Sequence, residues 1–259
     1  MPVAFAEWPA RLEAACGACT QLRAAVALPD TPSTQDAPET RAAARGTVVT
    51  AWRQTAGRGR FGRHWQDTAT AGVAATFVVD AQPAERLALA GAVAAAFACE
   101  TALGRRTGIK WPNDIVVDGR KIAGVLVERR DDRAFVGIGI NVSQPRFEGE
   151  LELRAASLAM LGAQADRIDV LCALVAALDR ALLASDLELV EHFLARCALK
   201  GTRTLFSTPE GPVEGEVRAV DPMRGIVVRT ESGERFLPAA TTSVAEWGGR
   251  VGARAGGLK

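Results

Sequence analysis

Lysine is nearly missing from this sequence. Of its 31 basic residues only four are lysines, Lys110, Lys121, Lys200 and Lys259. Arginine serves almost everywhere that a generic positive charge is needed. A lysine kept inside a motif therefore calls for a chemical reason, because ammonium and guanidinium differ in shape, donor geometry and hydration. A surplus of charge is missing as well: the formal net charge is +1 over 259 residues. Nothing in that balance advertises nucleic acid, a membrane surface or an acidic partner. No uninterrupted apolar run reaches the roughly 20 residues that span a bilayer. The nearest, Leu87 to Cys99, is Ala-rich and flanked by Glu85, Arg86 and Glu100. A signal peptide needs a basic start and an apolar core, and the N-terminus offers Glu7 and Trp8. These absences predict a cytoplasmic protein.

Metal and nucleophile chemistry are thinly supplied too. There are two histidines, His64 and His192, and five cysteines, of which Cys16 and Cys19 form the one close pair. A zinc site needs more ligands, a redox pair should follow a strand, and an odd cysteine count suits a reducing compartment. The pair reads as buried thiols on a helix. Without a Ser–His or Cys–His context, acyl-enzyme chemistry has little support.

What is present is an ordinary globular balance, 48% hydrophobic and 24% charged. Apolar spacing predicts a helix over Trp8 to Leu28, a loop over Asp30 to Thr40 and strands over Gly46 to Trp52 and Gly72 to Asp80. A buried helix is expected over Pro83 to Gly104. Three β segments follow: Gly108 to Trp111, Ile115 to Arg129 with a hairpin turn at Asp118-Gly119, and Phe135 to Val142. Helix returns over Ile168 to Leu199, broken near Ser185. From Thr202 the texture changes to short strands, Val213 to Val220, Gly225 to Thr230 and Arg235 to Leu237, which suggests a small barrel. The expected fold is α+β, a mixed β-sheet with helices. The expected division is residues 1–199 as the main domain, 200–247 as a second one and 248–259 as a disordered tail.

Two segments carry candidate chemistry. Gly57-Arg58-Gly59-Arg60-Phe61-Gly62 fits the spacing of a dinucleotide-binding glycine loop, yet no helical period follows it, as that fold requires. Arg58, Arg60 and Arg63 within six residues repel one another unless something anionic sits among them. Guanidinium groups fork onto phosphate or carboxylate oxygens, and glycines let backbone amides approach as well. A solvated basic turn is the plainer reading, but Phe61 and Trp65 would be wasted there and suit a lid over an apolar ligand. The second segment is Lys110-Trp111-Pro112-Asn113-Asp114, with Lys121 eleven residues after Lys110. A hairpin sets its ends side by side, so both ammonium groups could reach one pocket; surface placement is the alternative. In Gly137-Ile138-Gly139-Ile140-Asn141 the glycines leave room for a flat ligand whose polar edge Asn141 could meet.

Taken together these residues resemble a known family. Gln54 to Trp65 resembles the biotin-binding loop of biotin–protein ligases. Lys110 to Asp114 with Lys121 to Gly124, and Gly137 to Asn141, resemble that family's next two motifs in the same order. Ser33-Thr34-Gln35 resembles its Ser-Thr-Asn element, with Gln35 departing from the usual Asn. The resemblance implies an ATP-dependent ligase with a catalytic domain similar to class II aminoacyl-tRNA synthetases, followed by an SH3-like β-barrel. It would make biotinyl-5′-AMP from biotin and magnesium-ATP, then pass biotin to a lysine of biotin carboxyl carrier protein.

Carried over by motif, Ser33, Thr34, Gln35, Gln54, Gly57, Arg58, Gly59, Arg60, Lys121 and Gly124 would meet biotin. Arg58, Arg60, Arg63, Trp65, Lys110, Asn113, Lys121 and Asn141 would meet ATP or the adenylate. Lys121, Arg58, Arg60 and Asp114 would be catalytic, Asp114 near Mg2+ or steering the incoming lysine. About 30 residues precede the Ser33-Thr34 element, too few for a DNA-binding winged helix, so no DNA binding is expected, no membrane association, and a homodimer is open. The alternatives are a lipoate– or octanoate–protein ligase and a non-catalytic regulator that binds biotinyl-adenylate.

Overall fold

The computed structural model describes residues 3–62, 64–65 and 70–248, with only the backbone of Phe61. The nucleotide contact expected of Arg63, the lid expected of the Phe61 side chain and the expected tail beyond Gly248 lie outside the described residues.

The first helix, α1 (Trp8–Gly17), buries Trp8, Leu12 and Cys16. It stops well short of Leu28, and the chain re-enters as strand β1 (Ala24–Thr31). The turn is imposed from far away in sequence. The Asp179 carboxylate accepts the backbone N–H of Thr20, Gln21 and Leu22 at 3.0, 2.6 and 2.9 Å, which gives these donors partners without a helix. The Ala-rich stretch beyond then pairs in parallel with β2 (Thr47–Gln54). Pro29 is tolerated because β1 is an edge strand. Cys16 thus ends a helix and Cys19 lies in the turn after it, so the pair does not share one helix.

Between them the expected loop contains a short helix, α2 (Pro38–Ala42). The glycine–arginine segment forms a two-rung antiparallel ladder, β3 (Gly57–Arg58) with β4 (His64–Trp65). Its glycines open a 3-10 turn (Arg60–Gly62) inside this ladder and not the α-helix that a dinucleotide-binding loop leads into. Strand β5 (Gly72–Asp80) and helix α3 (Ala84–Leu103) follow as the sequence predicts.

Next come β6 (Gly108–Lys110), β7 (Asp114–Val117), β8 (Arg120–Arg130) and β9 (Arg133–Asn141). Asp118 and Gly119 both hold positive φ, 50° and 78°, as a two-residue hairpin turn demands. Helices α4 (Arg167–Leu183) and α5 (Asp186–Leu194) break at Ser185, which caps α5 with Glu188 in a capping box. The helix ends at Leu194, five residues before the expected Leu199.

The seven strands form one sheet in the order β1-β2-β5-β9-β8-β7-β6, antiparallel except for the β1–β2 pair. This is the mixed sheet of an α+β fold. Helix α3 lies against it so closely that a Cβ at Gly91 would come within 2.8 Å of Val125. Among the described residues α3 is the helix long and apolar enough to cross a membrane, but 61% of that window is buried inside the protein. Strands β10 (Arg203–Thr208), β11 (Gly211–Asp221), β12 (Gly225–Thr230), β13 (Gly233–Pro238) and β14 (Ser243–Trp247) make a second antiparallel sheet, ordered β13-β12-β11-β10-β14. Both β10 and β14 are additions to the three strands read from sequence.

Candidate active site

Residues from four parts of the chain meet over the middle of the large sheet, in two adjoining compartments. The inner one is a cavity of about 60 Å³ lined by Ser33, Thr34, Gln35, Gln54, Thr76 and the bare backbone of β9, among others. Ser33, Thr34 and Gln35 leave the end of β1 in a tight turn, with Ala37 N–H donating to Ser33 O at 3.0 Å. Thr40 at the start of α2 holds the Thr34 carbonyl through its hydroxyl at 2.6 Å. Gln54, at the end of β2, accepts from the Thr34 backbone N–H at 2.9 Å and from the Thr34 hydroxyl at 3.2 Å. Thr76, mid-β5, sits with its hydroxyl 2.9 Å from both Thr34 Oγ1 and Gln35 Oε1. All of these side chains are buried. In a dry pocket such a network is worth most when fully paired.

The floor is made of glycine. Gly124 on β8 pairs with Gly139 on β9, and Gly137 lies two residues before it on the same face. The Trp65 indole rests on this floor: a Cβ at Gly139 would meet its ring at 2.4 Å, and one at Gly124 would meet it at 3.4 Å. So the flat group over these glycines is the protein's own tryptophan, brought there by the β3–β4 ladder. Gly57 does not line the cavity; it sits behind it, where a Cβ would clash with Gln54 Nε2 at 2.4 Å.

The outer compartment is a cleft of about 820 Å³ between the large sheet, the loop around Arg154 and strand β14. Lys110 and Asp114 face each other across the β6–β7 pair. Asp114 takes Lys121 on one carboxylate oxygen at 2.6 Å and Lys110 on the other at 3.3 Å. Both lysines thus reach one pocket, as the hairpin reading anticipated. Burial pushes the Asp114 carboxyl up, but the Lys121 and Lys110 charges outweigh it and hold the group below the ordinary aspartate value. Lys121 also lies 5.4 Å from the Trp65 ring centroid and Lys110 6.0 Å from that of Trp247 on β14.

Asn113 donates to Val125 O at 2.6 Å and accepts from Arg60 at 3.2 Å. Asn141 donates to Ala156 O at 3.0 Å and lines the cleft. The strand bearing Lys110 is clamped from below. Ile109 exchanges backbone bonds with Arg196 and Ala198 at 2.7 and 2.9 Å. Arg196 in turn forks onto Glu100 at 2.9 and 2.8 Å.

Arg58 lines the inner cavity and is also paired within the protein. Its guanidinium forks onto Glu128 at 2.9 and 3.2 Å and reaches Asp36 at 2.8 Å. The hydrogen bond to Glu128 first, with the nearby carboxylate charges, raises its pKa. The anions that make the arginine loop tolerable include the protein's own. Among the described residues there is no group of three or more His, Cys, Asp or Glu suited to a metal ion, and both Asp114 oxygens already hold ammonium groups.

The remaining predicted residues divide cleanly. Arg58 and Gly124 line the inner cavity, Lys110, Asp114 and Asn141 the cleft, while Gly59, Arg60, Trp65, Asn113 and Lys121 border both. Thr76, Glu128, Asp36 and Trp247 went unpredicted. Thr76 did carry a signal, a hydroxyl in the otherwise apolar run Val73 to Val79; the others carried none.

The profile of the Biotin/lipoate A/B protein ligase family matches residues 28–144, from β1 to just past β9. The biotin–[acetyl-CoA-carboxylase] ligase of Mycobacterium tuberculosis is 34% identical over 192 residues, covering 68% of this chain and 70% of that protein. The bifunctional ligase/repressor BirA of Bacillus subtilis is 38% identical over 136 residues, 49% of this chain but only 42% of the relative's length. Among solved structures, the biotin protein ligase from Aquifex aeolicus in complex with biotin and ATP matches with a TM-score of 0.77 and 28% identity. That match covers 85% of this chain and 97% of the other. On sequence, fold and site geometry alike, the chain belongs to the biotin/lipoate A/B protein ligase family.

Proposed function

We propose that this chain is a biotin–protein ligase that makes biotinyl-5′-AMP from biotin and magnesium-ATP, then transfers biotin to one lysine of a biotin carboxyl carrier protein. Within that reading residues 1–199 are a catalytic domain of the class II synthetase type, and 200–247 an SH3-like module whose strand β14 walls the cleft. The observation that carries it is the Lys110–Asp114–Lys121 cluster beside the junction of a small pocket built mainly of hydroxyls, carboxamides and glycine and a large cleft that both lysines line. The small pocket suits the ring of the acid and the cleft suits a triphosphate. Their shared border is where carboxylate and α-phosphate must meet.

The acid is already an anion, so no base is needed for the first step. A carboxylate oxygen attacks the α-phosphorus, a P–O bond forms, and the bond to the departing pyrophosphate breaks. The step needs charge neutralisation and alignment. Lys121 and Lys110 supply the charge, and Asp114 holds both ammonium groups at fixed positions. Magnesium enters as part of the nucleotide substrate; Asp114, already doubly paired, makes a poor metal ligand, and no step here depends on it. The mixed anhydride is then shielded from water beneath Trp65 and the arginine loop. In the second step the acceptor amine attacks the acyl carbon, AMP leaves and a proton is released.

The relatives support the choice of acid, because the Mycobacterium tuberculosis protein is named as a biotin ligase and the Aquifex aeolicus enzyme is described with biotin and ATP bound. Pyrophosphate exchange with magnesium-ATP, run with biotin, lipoate and no acid, tests it. Exchange stimulated by biotin is expected. Stimulation by lipoate alone would move the chain to the other branch of the family, and none with either acid would leave a non-catalytic adenylate-binding protein.

A further inference from the structure

The Thr34 hydroxyl in the inner pocket has less hydrogen than its surroundings ask for. Its own hydrogen goes to Gln54 Oε1 at 3.2 Å. The Thr76 hydroxyl lies 2.9 Å from Thr34 Oγ1, but it lies equally close, 2.9 Å, to Gln35 Oε1. One hydroxyl carries one hydrogen, so Gln35 and Thr34 compete for it.

Gln35 is fixed in that contest. Its Nε2 donates to Phe135 O at 3.1 Å, which sets the sense of the carboxamide and turns its oxygen toward Thr76. Its backbone N–H donates to Ser33 Oγ at 3.3 Å, and the residue is 3% exposed. Room for so long a side chain comes from Gly137, where a Cβ would stand 2.8 Å from Gln35 Oε1. An asparagine at this position, one methylene shorter, would not reach Phe135 O and the Thr76 hydroxyl together.

We propose that Gln35 is a positioning residue for substrate selectivity: by drawing the Thr76 hydrogen toward itself it leaves Thr34 Oγ1 facing the pocket as an acceptor. The pocket then selects acids whose ring brings an N–H to that oxygen. This rests on the acid-activating function proposed above and deepens it. A cyclic urea, as in biotin, supplies the N–H; a dithiolane ring, as in lipoate, has none. A ligand N–H on Thr34 Oγ1 also releases the Thr76 hydrogen fully to Gln35, so every member of the relay becomes paired only in the complex.

The test is pyrophosphate exchange on the full chain with biotin, desthiobiotin and lipoate, the last scored as a competitive inhibitor where it does not turn over. The variants are Gln35→Met, which fills the space without the carboxamide, Gln35→Asn, which keeps the amide but shortens it, and Thr76→Val. Each Gln35 variant is expected to raise KM for biotin and desthiobiotin about tenfold, the factor that accompanies one buried hydrogen bond, whereas Thr76→Val, which removes the competing hydrogen altogether, should leave both near wild type. Lipoate binding, KM for ATP and kcat should stay near wild type. Combining Gln35→Met with Thr76→Val should bring KM for biotin back toward wild type, because without the Thr76 hydrogen nothing occupies the Thr34 acceptor. Equal weakening of all three acids, a loss confined to kcat or to ATP, an unchanged KM for biotin in the folded Gln35 variants, or no rescue of Gln35→Met by Thr76→Val would each overturn the proposal. A wild-type chain inactive with every acid would instead remove the ligase reading itself.

Discussion

The two compartments of the site are neighbours that share four side chains yet work by different physics. The inner cavity, about 60 Å³, is lined mainly by hydroxyls, carboxamides and bare glycine backbone, with Arg58, Arg60 and Lys121 beside them. The outer cleft, about 820 Å³, carries Arg60, Lys110, Lys121 and Arg154 together with Asp114, Glu150 and Glu246. In the first, the position of a single hydroxyl hydrogen matters, because a buried polar group left unpaired costs about 1–3 kcal/mol. In the second, what counts is that two ammonium groups are pinned by one largely buried carboxylate. The difference implies a separation of labour. The inner compartment recognises the acid, the outer neutralises phosphate, and Lys121 with Trp65 marks the border.

The hardest way to strike that separation is at the border. Lys121→Ala removes the charge nearest the reacting oxygens, so kcat/KM for adenylate formation should fall about a thousandfold. Biotin affinity, read by calorimetric titration without nucleotide, should change little. A loss of acid binding as large as the loss of rate would mean that Lys121 belongs to the recognition pocket and that the two compartments are one. Gly139→Val comes next in size. A side chain there would occupy the seat of the Trp65 ring, which a Cβ already meets at 2.4 Å. We expect KM for ATP to rise about tenfold or more as the loop fails to close, with acid binding less affected. An acid affinity that drops in step with that of ATP would assign Trp65 to the inner compartment instead.

How much of this was legible in the sequence follows the same divide. The cleft was readable because its parts are local. Asp118-Gly119 dictates a hairpin, the hairpin fixes the spacing of Lys110 and Lys121, and the scarcity of lysine marks both as deliberate. The outline of the inner pocket came from resemblance, but its wiring did not. Thr76 and the Phe135 carbonyl lie on strands that read simply as apolar, and their pairing with Gln35 depends on strand order, which no local pattern reveals. Arg58 was read as seeking an outside anion because Glu128 and Asp36 are distant in sequence. The helix expected over Trp8 to Leu28 failed for a similar reason. Its Ala-rich second half suits a helix, and only Asp179, some 158 residues on, turns the chain into strand β1 instead.

The smallest effect expected is one of pH, and it separates the compartments most plainly. With its folded pKa held below the usual aspartate value by Lys121 and Lys110, Asp114 stabilises the fold in full above the unfolded value of about 3.9. That contribution is lost as pH falls through the folded value. The gap in melting temperature between wild type and Asp114→Asn should therefore be constant from about pH 8 to about pH 5 and narrow only below about pH 4. The inner relay of Thr34, Gln35, Gln54 and Thr76 contains no ionisable carboxyl or amine. The corresponding gap for Gln35→Met should accordingly stay level across the whole range. If the Asp114 gap instead narrowed already near pH 6, about two units above the ordinary value, burial would be outweighing the two lysines. Asp114 would then be able to hold a proton close to neutrality. It would become a candidate to receive one from the acceptor lysine in the second step.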